Sequence, residues 1–178
     1  MREVVYSFAM SLDGYIARPD GAFDFLDAFP ADADYDFDAF LDSLSGIVMG
    51  RGTYDVVRRD GRWDYGRWPV CVATRRAVED LPDNAVADAG DVASLLDRLR
   101  ARGADGRIWV LGGGDVVRQL LDADLLDTIE IGVIPIILGS GIPAFGGAGA
   151  DRWLALDFAR PLANGAVHMR YRARRGQS

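Results

Sequence analysis

The run Ile108-Trp109-Val110-Leu111-Gly112-Gly113-Gly114-Asp115 restricts the possible folds of this chain more than any other segment. Its four leading apolar residues suit a short buried strand. Three glycines follow, and then Val116, Val117, Leu120 and Leu121 recur at helical spacing. A strand that passes through glycines directly into a helix belongs to an α/β sheet. Such a junction lets the backbone approach a ligand closely and aims the helix's first unpaired N–H groups, at the positive end of its dipole, toward an anion. The same glycines can also serve a tight turn with positive φ and nothing more. The spacing is not G-x-G-x-x-G, and the next acidic residue, Glu130, falls in a following strand, so an ordinary Rossmann unit is disfavoured.

The rest of the chain repeats the alternation. Residues 3–10 read as a buried strand, and Asp13-Gly14 turns it into a loop. Residues 19–36 hold Pro19, Pro30, Asp20-Gly21 and six Asp, which suits a loop that shapes a site rather than a core element. Asp36 is placed to cap a helix with Phe37, Phe40, Leu41 and Leu44 on one face, feeding the short strand Ile47-Val48-Met49. A helix through Tyr54, Val56 and Val57 follows, then an aromatic loop with Trp63, Tyr65 and Trp68, and then a strand over 70–74. Asp91 caps a helix that presents Val92, Leu95, Leu96 and Leu99 together. Beyond the glycine junction the pattern predicts a long strand, 127–138, in which Pro135 signals an edge or a bulge. Asn164-Gly165 joins 153–160 to 166–174 as an antiparallel hairpin. The expected class is α/β with a mixed sheet, parallel in the middle and antiparallel at one edge. No repeat or linker divides residues 1–178.

Charge and composition exclude several roles. A formal charge of −7 repels nucleic acid and anionic membranes at long range, so neither is an expected partner. No apolar run approaches the roughly 20 residues of a membrane span, and the expected compartment is the cytoplasm. Cys71, inside Val70-Cys71-Val72, reads as a small buried hydrophobe. One cysteine and one histidine give no basis for a metal site. His168 alternates with Val167, Met169 and Tyr171 on the polar face of the last strand and is assigned no role.

Two further strand ends carry chemistry suited to anions. Met49-Gly50-Arg51-Gly52-Thr53-Tyr54 sets a guanidinium and a hydroxyl at a helix start, where an N-cap beside a surface Arg is the equal alternative. Val72-Ala73-Thr74-Arg75-Arg76 offers a hydroxyl and guanidinium groups where open α/β sheets bind ligands, with solvated arginines as the alternative. If Arg51, Thr74 and Arg75 converge, they form an anion pocket suited to the 2′-phosphate that distinguishes NADPH from NADH.

These segments occur in order with Ser11-Leu12-Asp13-Gly14-Tyr15-Ile16-Ala17, Trp109 to Gly114, Leu126-Asp127 and the run Ile134 to Phe145, and together they span nearly the whole chain. The set resembles the dihydrofolate reductase-like family, above all the reductase domain of bifunctional riboflavin-biosynthesis deaminase-reductases and their stand-alone bacterial relatives. The resemblance implies a single dihydrofolate reductase-like three-layer domain, with a central mixed, mostly parallel sheet of about eight strands, flanking helices and a C-terminal antiparallel hairpin. It also implies NADPH across the C-terminal ends of the parallel strands. Arg51, Thr74 and Arg75 then match the 2′-phosphate corner. Gly112, Gly113 and Gly114 match the pyrophosphate turn, Thr53 matches a phosphate contact at its helix start, and Gly50 and Asp115 are expected among the cofactor-binding residues. Ala9 and Ile16 match positions beside the nicotinamide, and Asp13 and Gly14 belong to the loop over the substrate side.

Counting back from Met49 at the family's spacing puts the catalytic acid at Asp34, with Asp36 two residues on and Asp13 as a second candidate. A buried carboxylate there would have a raised pKa and could promote protonation of a C=N bond, whereas solvated aspartates near a helix start are the alternative. The family's tryptophan in the substrate loop is absent, and Phe25 is the nearest aromatic. The implied activity is hydride transfer from NADPH to a carbonyl or imine carbon of a small pterin-like or ribosylamino-pyrimidinone-like molecule. A nucleotide-binding module without turnover is the alternative. The likeness also implies a homodimer, and a purely structural dimer using strand 127–138 as its edge is a third reading.

Overall fold

The computed structural model describes residues 2–27, 35–59, 61, 63–102, 105–147 and 149–174. The elements in chain order are β1 (Val4–Ser11), β2 (Tyr15–Ala17), α1 (Asp24–Asp27), α2 (Phe37–Asp42), β3 (Leu44–Gly50), α3 (Arg51–Arg58), β4 (Val70–Ala73) and β5 (Ala85–Asp88). They continue with α4 (Val92–Arg102), β6 (Arg107–Gly112), α5 (Gly114–Asp122), β7 (Thr128–Ile134), β8 (Ile142–Pro143), β9 (Leu154–Pro161) and β10 (Val167–Ala173).

Eight strands form one sheet in the order β5-β4-β3-β6-β1-β7-β10-β9. The strands from β5 to β7 run parallel, and β10 pairs antiparallel with both β7 and β9. The chain winds outward from β3 to β5, returns to β6 between β3 and β1, and then continues on the other side through β7. That reversal opens a crevice above the C-terminal ends of β3 and β6, the usual place for a ligand in such sheets.

Alternation along the strands sends successive side chains to opposite layers. Val4, Tyr6, Val48, Cys71, Ile108 and Val110 meet α4 and α5, whose Leu95, Leu96, Leu99 and Leu120 are fully buried. Burying each such leucine stabilises the fold by roughly 1.5–3 kcal/mol. On the other face Val5, Ile47, Met49, Val70, Val72 and Trp109 pack against Phe40 of α2, Tyr54 of α3 and Trp68. The aromatic loop therefore covers core. Trp63 Nε1 donates to Asn84 Oδ1 at 2.9 Å, while the Asn84 amide donates to the carbonyls of Tyr65 and Trp68. Asp36 caps α2 as expected, accepting from the Ala39 amide at 2.8 Å, and Asp91 accepts from the Ser94 amide at 2.8 Å. Cys71 is buried in the first layer, and that burial pushes its thiol up to about 11, which leaves it unreactive near neutral pH.

Three expectations need correction. The strand predicted over 127–138 stops at Ile134, because Pro135 lacks the N–H that would continue the ladder. It is an interior strand between β1 and β10, so it offers no edge for a dimer. Leu44 opens β3 rather than closing α2. The edge strand β5 is also present, although its four residues, Ala-Val-Ala-Asp, carry too little apolar pattern to announce it. No helix among the described residues is long and apolar enough to cross a membrane.

Candidate functional site

A cavity of about 510 Å³ lies where the parallel strands end. Its wall combines Gly50 and Arg51 from the β3–α3 junction, Thr74 and Arg75 after β4, and Gly113, Gly114 and Asp115 at the start of α5. Segments more than sixty residues apart in sequence thus meet at one opening. Asp88, at the end of β5, and Arg118, on the second turn of α5, also border it.

Each group has a local reason for its position. Gly113 adopts φ 96° and ψ 97°, and a Cβ there would stand 3.1 Å from the Cα and N of Gly50. The two glycine junctions therefore touch backbone to backbone, which sinks the floor of the cavity. Gly114 has a second constraint, since its Cβ would meet the Gly146 backbone at 2.8 Å. Gly112, at φ 154° with Thr53 Oγ1 3.0 Å from its Cβ position, is constrained as well, so local packing accounts for all three adjacent glycines and their number is no independent sign of a phosphate. The stronger indication is what faces the opening. Val116 N and Val117 N both donate to the Gly113 carbonyl, so the amides of Gly114 and Asp115 lie ahead of the helix's own bonds.

Arg51 is held at the rim by two bonds, Nε to Asp55 at 2.7 Å and one terminal nitrogen to the Ala77 carbonyl at 2.8 Å. Thr74 Oγ1 accepts from the Arg76 amide at 3.1 Å, which shapes the corner that exposes Arg75. Asp88 accepts from the Gly90 amide at 2.7 Å and pairs with Arg98 at 2.8 Å, so a cation outside the cavity already balances it. The Asp115 carboxylate is exposed on the first turn of α5, where it competes with an anionic ligand for the helix's positive end. Only the backbone of Asp115 suits a phosphate, not its side chain.

Other expected residues lie elsewhere. Thr53 stands beneath Gly112, its Oγ1 3.0 Å from where a Gly112 Cβ would be, and neither residue lines the cavity. Ala9 lines a second cavity instead, and Ile16, half-buried on β2, borders neither. Asp13 is exposed and accepts from the amides of Leu138 at 3.1 Å and Gly139 at 2.8 Å. Hydrogen bonds from Ser11 and from these two amides hold its carboxyl below the usual carboxylate range. A proton donor needs the opposite shift, so Asp13 serves as a clamp between the loops that carry β2 and β8. Asp34 lies outside the described residues.

The second cavity, about 380 Å³, occupies the other face of the sheet. Ser7 and Ala9 of β1, Gly132 of β7 and His168 of β10 form its floor, and Leu26, Tyr35 and Phe37 form its outer wall. His168, expected at the surface, is 6% exposed. The rings of Tyr35 and Phe158 stand edge-on to it at 4.9 and 5.0 Å, and Arg160 approaches its Nδ1 at 3.3 Å. Arg170 also turns inward, toward Glu3 and Glu130, whereas Arg172 pairs with Asp157 from an exposed position. Part of what reads as a polar outer face is a half-buried ion-pair network, in which Arg170 of β10 meets Glu3, just before β1, and Glu130 of β7.

Burial first, then the charge of Arg160, holds His168 below its ordinary value, with Glu130 opposing and Arg170 adding. The unfolded chain therefore takes up this proton earlier as pH falls through about 6.5. Stability from the neutral ring is complete above that pH and is lost below it. His168→Gln should flatten this part of the profile, as checked by urea midpoints from neutral pH downward. An unchanged slope would show that the ring titrates freely.

Comparison with known proteins gives the same picture. Residues 2–167 match the profile described as the RibD C-terminal domain. The chain is 31% identical over 144 residues to the uncharacterized protein YwjB of Bacillus subtilis, covering 81% of this chain and 83% of that one. Among solved structures it is similar to a putative riboflavin biosynthesis protein from a Shewanella species, at 28% identity and TM-score 0.81 over 98% of this chain and 100% of that one. A diaminohydroxyphosphoribosylaminopyrimidine deaminase/5-amino-6-(5-phosphoribosylamino)uracil reductase from Thermotoga maritima shares the fold at 19% identity and TM-score 0.67. That match covers 97% of this chain and 57% of that longer one. The mostly parallel eight-stranded sheet with its antiparallel C-terminal pair is the dihydrofolate reductase-like architecture of these proteins.

Proposed function

The chain belongs to the RibD C-terminal domain family, and from that premise we propose that it is an NADPH-dependent reductase acting on a carbonyl or imine carbon of a small pyrimidine- or pterin-like heterocycle. The observation that carries this reading is the single cavity shared by Gly50, Arg51, Thr74, Arg75, Gly113 and Gly114. Its donor set fits a phosphorylated dinucleotide. Arg51 and Arg75 suit a 2′-phosphate, which guanidinium groups bind in a planar, charge-assisted way. The Gly50–Gly113 contact, which a Cβ on Gly113 would crowd, holds the two strand ends together, and the amides opening α5 suit a pyrophosphate. The reduced nicotinamide supplies the hydride. The chain's own residues bind, orient and exclude water, with the small Ala9 side chain leaving room on the floor of the second cavity.

Fluorescence titration with NADPH and NADH tests the reading. We expect micromolar binding of NADPH, weakened at least about tenfold, or 1.4 kcal/mol, by Arg51→Ala or Arg75→Ala, while the weaker NADH binding changes little. Absence of binding by either nucleotide would refute it. NADPH consumption in the presence of dihydrofolate or a ribosylamino-pyrimidinone separates an enzyme from a binding module. Nucleotide binding without turnover on any heterocycle of this class would favour the module.

A further inference from the structure

The second cavity differs in chemistry from the first. Phe37, Trp109, Ile134 and Leu162 give it aromatic and aliphatic walls suited to a flat ring. None of its described lining residues is Arg or Lys. The guanidinium groups of Arg107 and Arg170, on the same sheet face, are engaged by Glu3 and Glu130, and that of Arg160 meets His168 Nδ1. Polar groups in the wall have partners, with one exception. The Ser7 carbonyl accepts from Trp109 Nε1 at 2.9 Å, the Ser7 and Tyr35 hydroxyls bond to each other, and Asn164 Oδ1 accepts from the Ala166 amide at 3.1 Å. The exception is His168, whose Nε2 is buried and has no hydrogen-bond partner among the described residues.

The tautomer follows from its neighbour. A guanidinium only donates, so the Arg160 contact requires His168 Nδ1 to accept, and the proton of the neutral ring then sits on Nε2. A buried N–H without an acceptor is costly until a ligand supplies one. We propose that this cavity takes an uncharged, flat heteroaromatic carbonyl compound, that His168 donates its Nε2–H to an oxygen or ring nitrogen of that compound, and that the cavity has no subsite for a phosphorylated sugar. The inference rests on the reductase reading only in calling this compound the substrate. It separates the chain from the Thermotoga maritima relative, whose name specifies a phosphoribosylamino group.

Because His168 is the chain's only histidine, selective nitrogen-15 labelling of histidine gives a single set of imidazole signals. The expected spectrum near neutral pH has the proton on Nε2. Adding 5,6-diaminouracil should shift that signal saturably. His168→Phe should weaken binding of this probe at least about tenfold, whereas His168→Gln, which keeps an N–H donor, should stay within about threefold. The same ring bearing the phosphoribosylamino group should bind no more tightly than the bare ring. A proton on Nδ1, no saturable shift, unchanged affinity in His168→Phe, or about tenfold tighter binding of the phosphorylated compound would each overturn the proposal. NADPH is titrated separately. Ring binding through His168 without nucleotide binding would support this cavity assignment while refuting the reductase reading.

Discussion

Glu130→Ala should lower the free energy of unfolding by about 3 kcal/mol or more, measured by chemical denaturation. Glu130 is 7% exposed on β7. One of its carboxylate oxygens meets Arg107 at 2.5 Å and Arg170 at 3.3 Å. Glu3 bridges the same two arginines at 2.9 and 2.7 Å and also accepts from the Thr128 hydroxyl at 2.5 Å. Removing Glu130 leaves two partly buried cations sharing Glu3, with Asp157 3.7 Å from Arg170 as the remaining help. Breaking one partner out of a buried network costs more than the network contributes, because the orphaned charges stay desolvated. Glu130→Gln keeps the shape and an acceptor, so its loss should be smaller. A loss below about 1 kcal/mol for the alanine variant would place these groups in the class of solvent-screened surface pairs.

Gly113→Ala should affect folding and nucleotide binding together. At φ 96° and ψ 97° an L-residue is strained, and its Cβ would press on the Gly50 backbone at 3.1 Å. Strain of this kind costs roughly 1–3 kcal/mol, and backbone contacts cannot swing away as a flexible side chain would. The junctions after β3 and β6 would have to separate, which displaces the Arg51 and α5 donors from one another. A loss of about 2 kcal/mol in stability should accompany at least a tenfold loss in NADPH affinity. Loss of stability with unchanged affinity would show that the nucleotide does not depend on the close approach of these two junctions.

Much of this was legible in the sequence, for physical reasons that differ by segment. The strands β1, β3 and β6, and the helices α4 and α5, carry dense apolar residues at unmistakable period, and burial enforced that pattern. Short elements such as β2, β5 and β8 are held by their neighbours rather than by their own residues. Tyr15 pairs with Pro143 and Ala17 with Ile142 across a shifted register, which no local pattern announces. Alternation with Arg170 and Arg172 reads as a wet face, and Arg172 does stay exposed. His168 is buried, however, and Arg170 meets Glu3, just before β1, Glu130 of β7 and Asp157 of β9, information that exists only once the strands are paired. The nucleotide corner was visible through family likeness, but its convergence was not. Arg51, Arg75 and Gly113 lie at three separate strand ends, and only the sheet order brings them to one opening.

If these strand ends surround one phosphorylated dinucleotide, phosphorus-31 NMR of added NADPH will report on both of its phosphate sites. The 2′-phosphate and pyrophosphate resonances should both shift and broaden on binding. In the Arg51→Ala/Arg75→Ala double variant, held at nucleotide concentrations that restore occupancy, the 2′-phosphate signal should return toward its free position while the pyrophosphate signals stay shifted. A 2′-phosphate resonance that ignores the intact protein, or that responds identically with both arginines removed, would contradict that placement of the nucleotide.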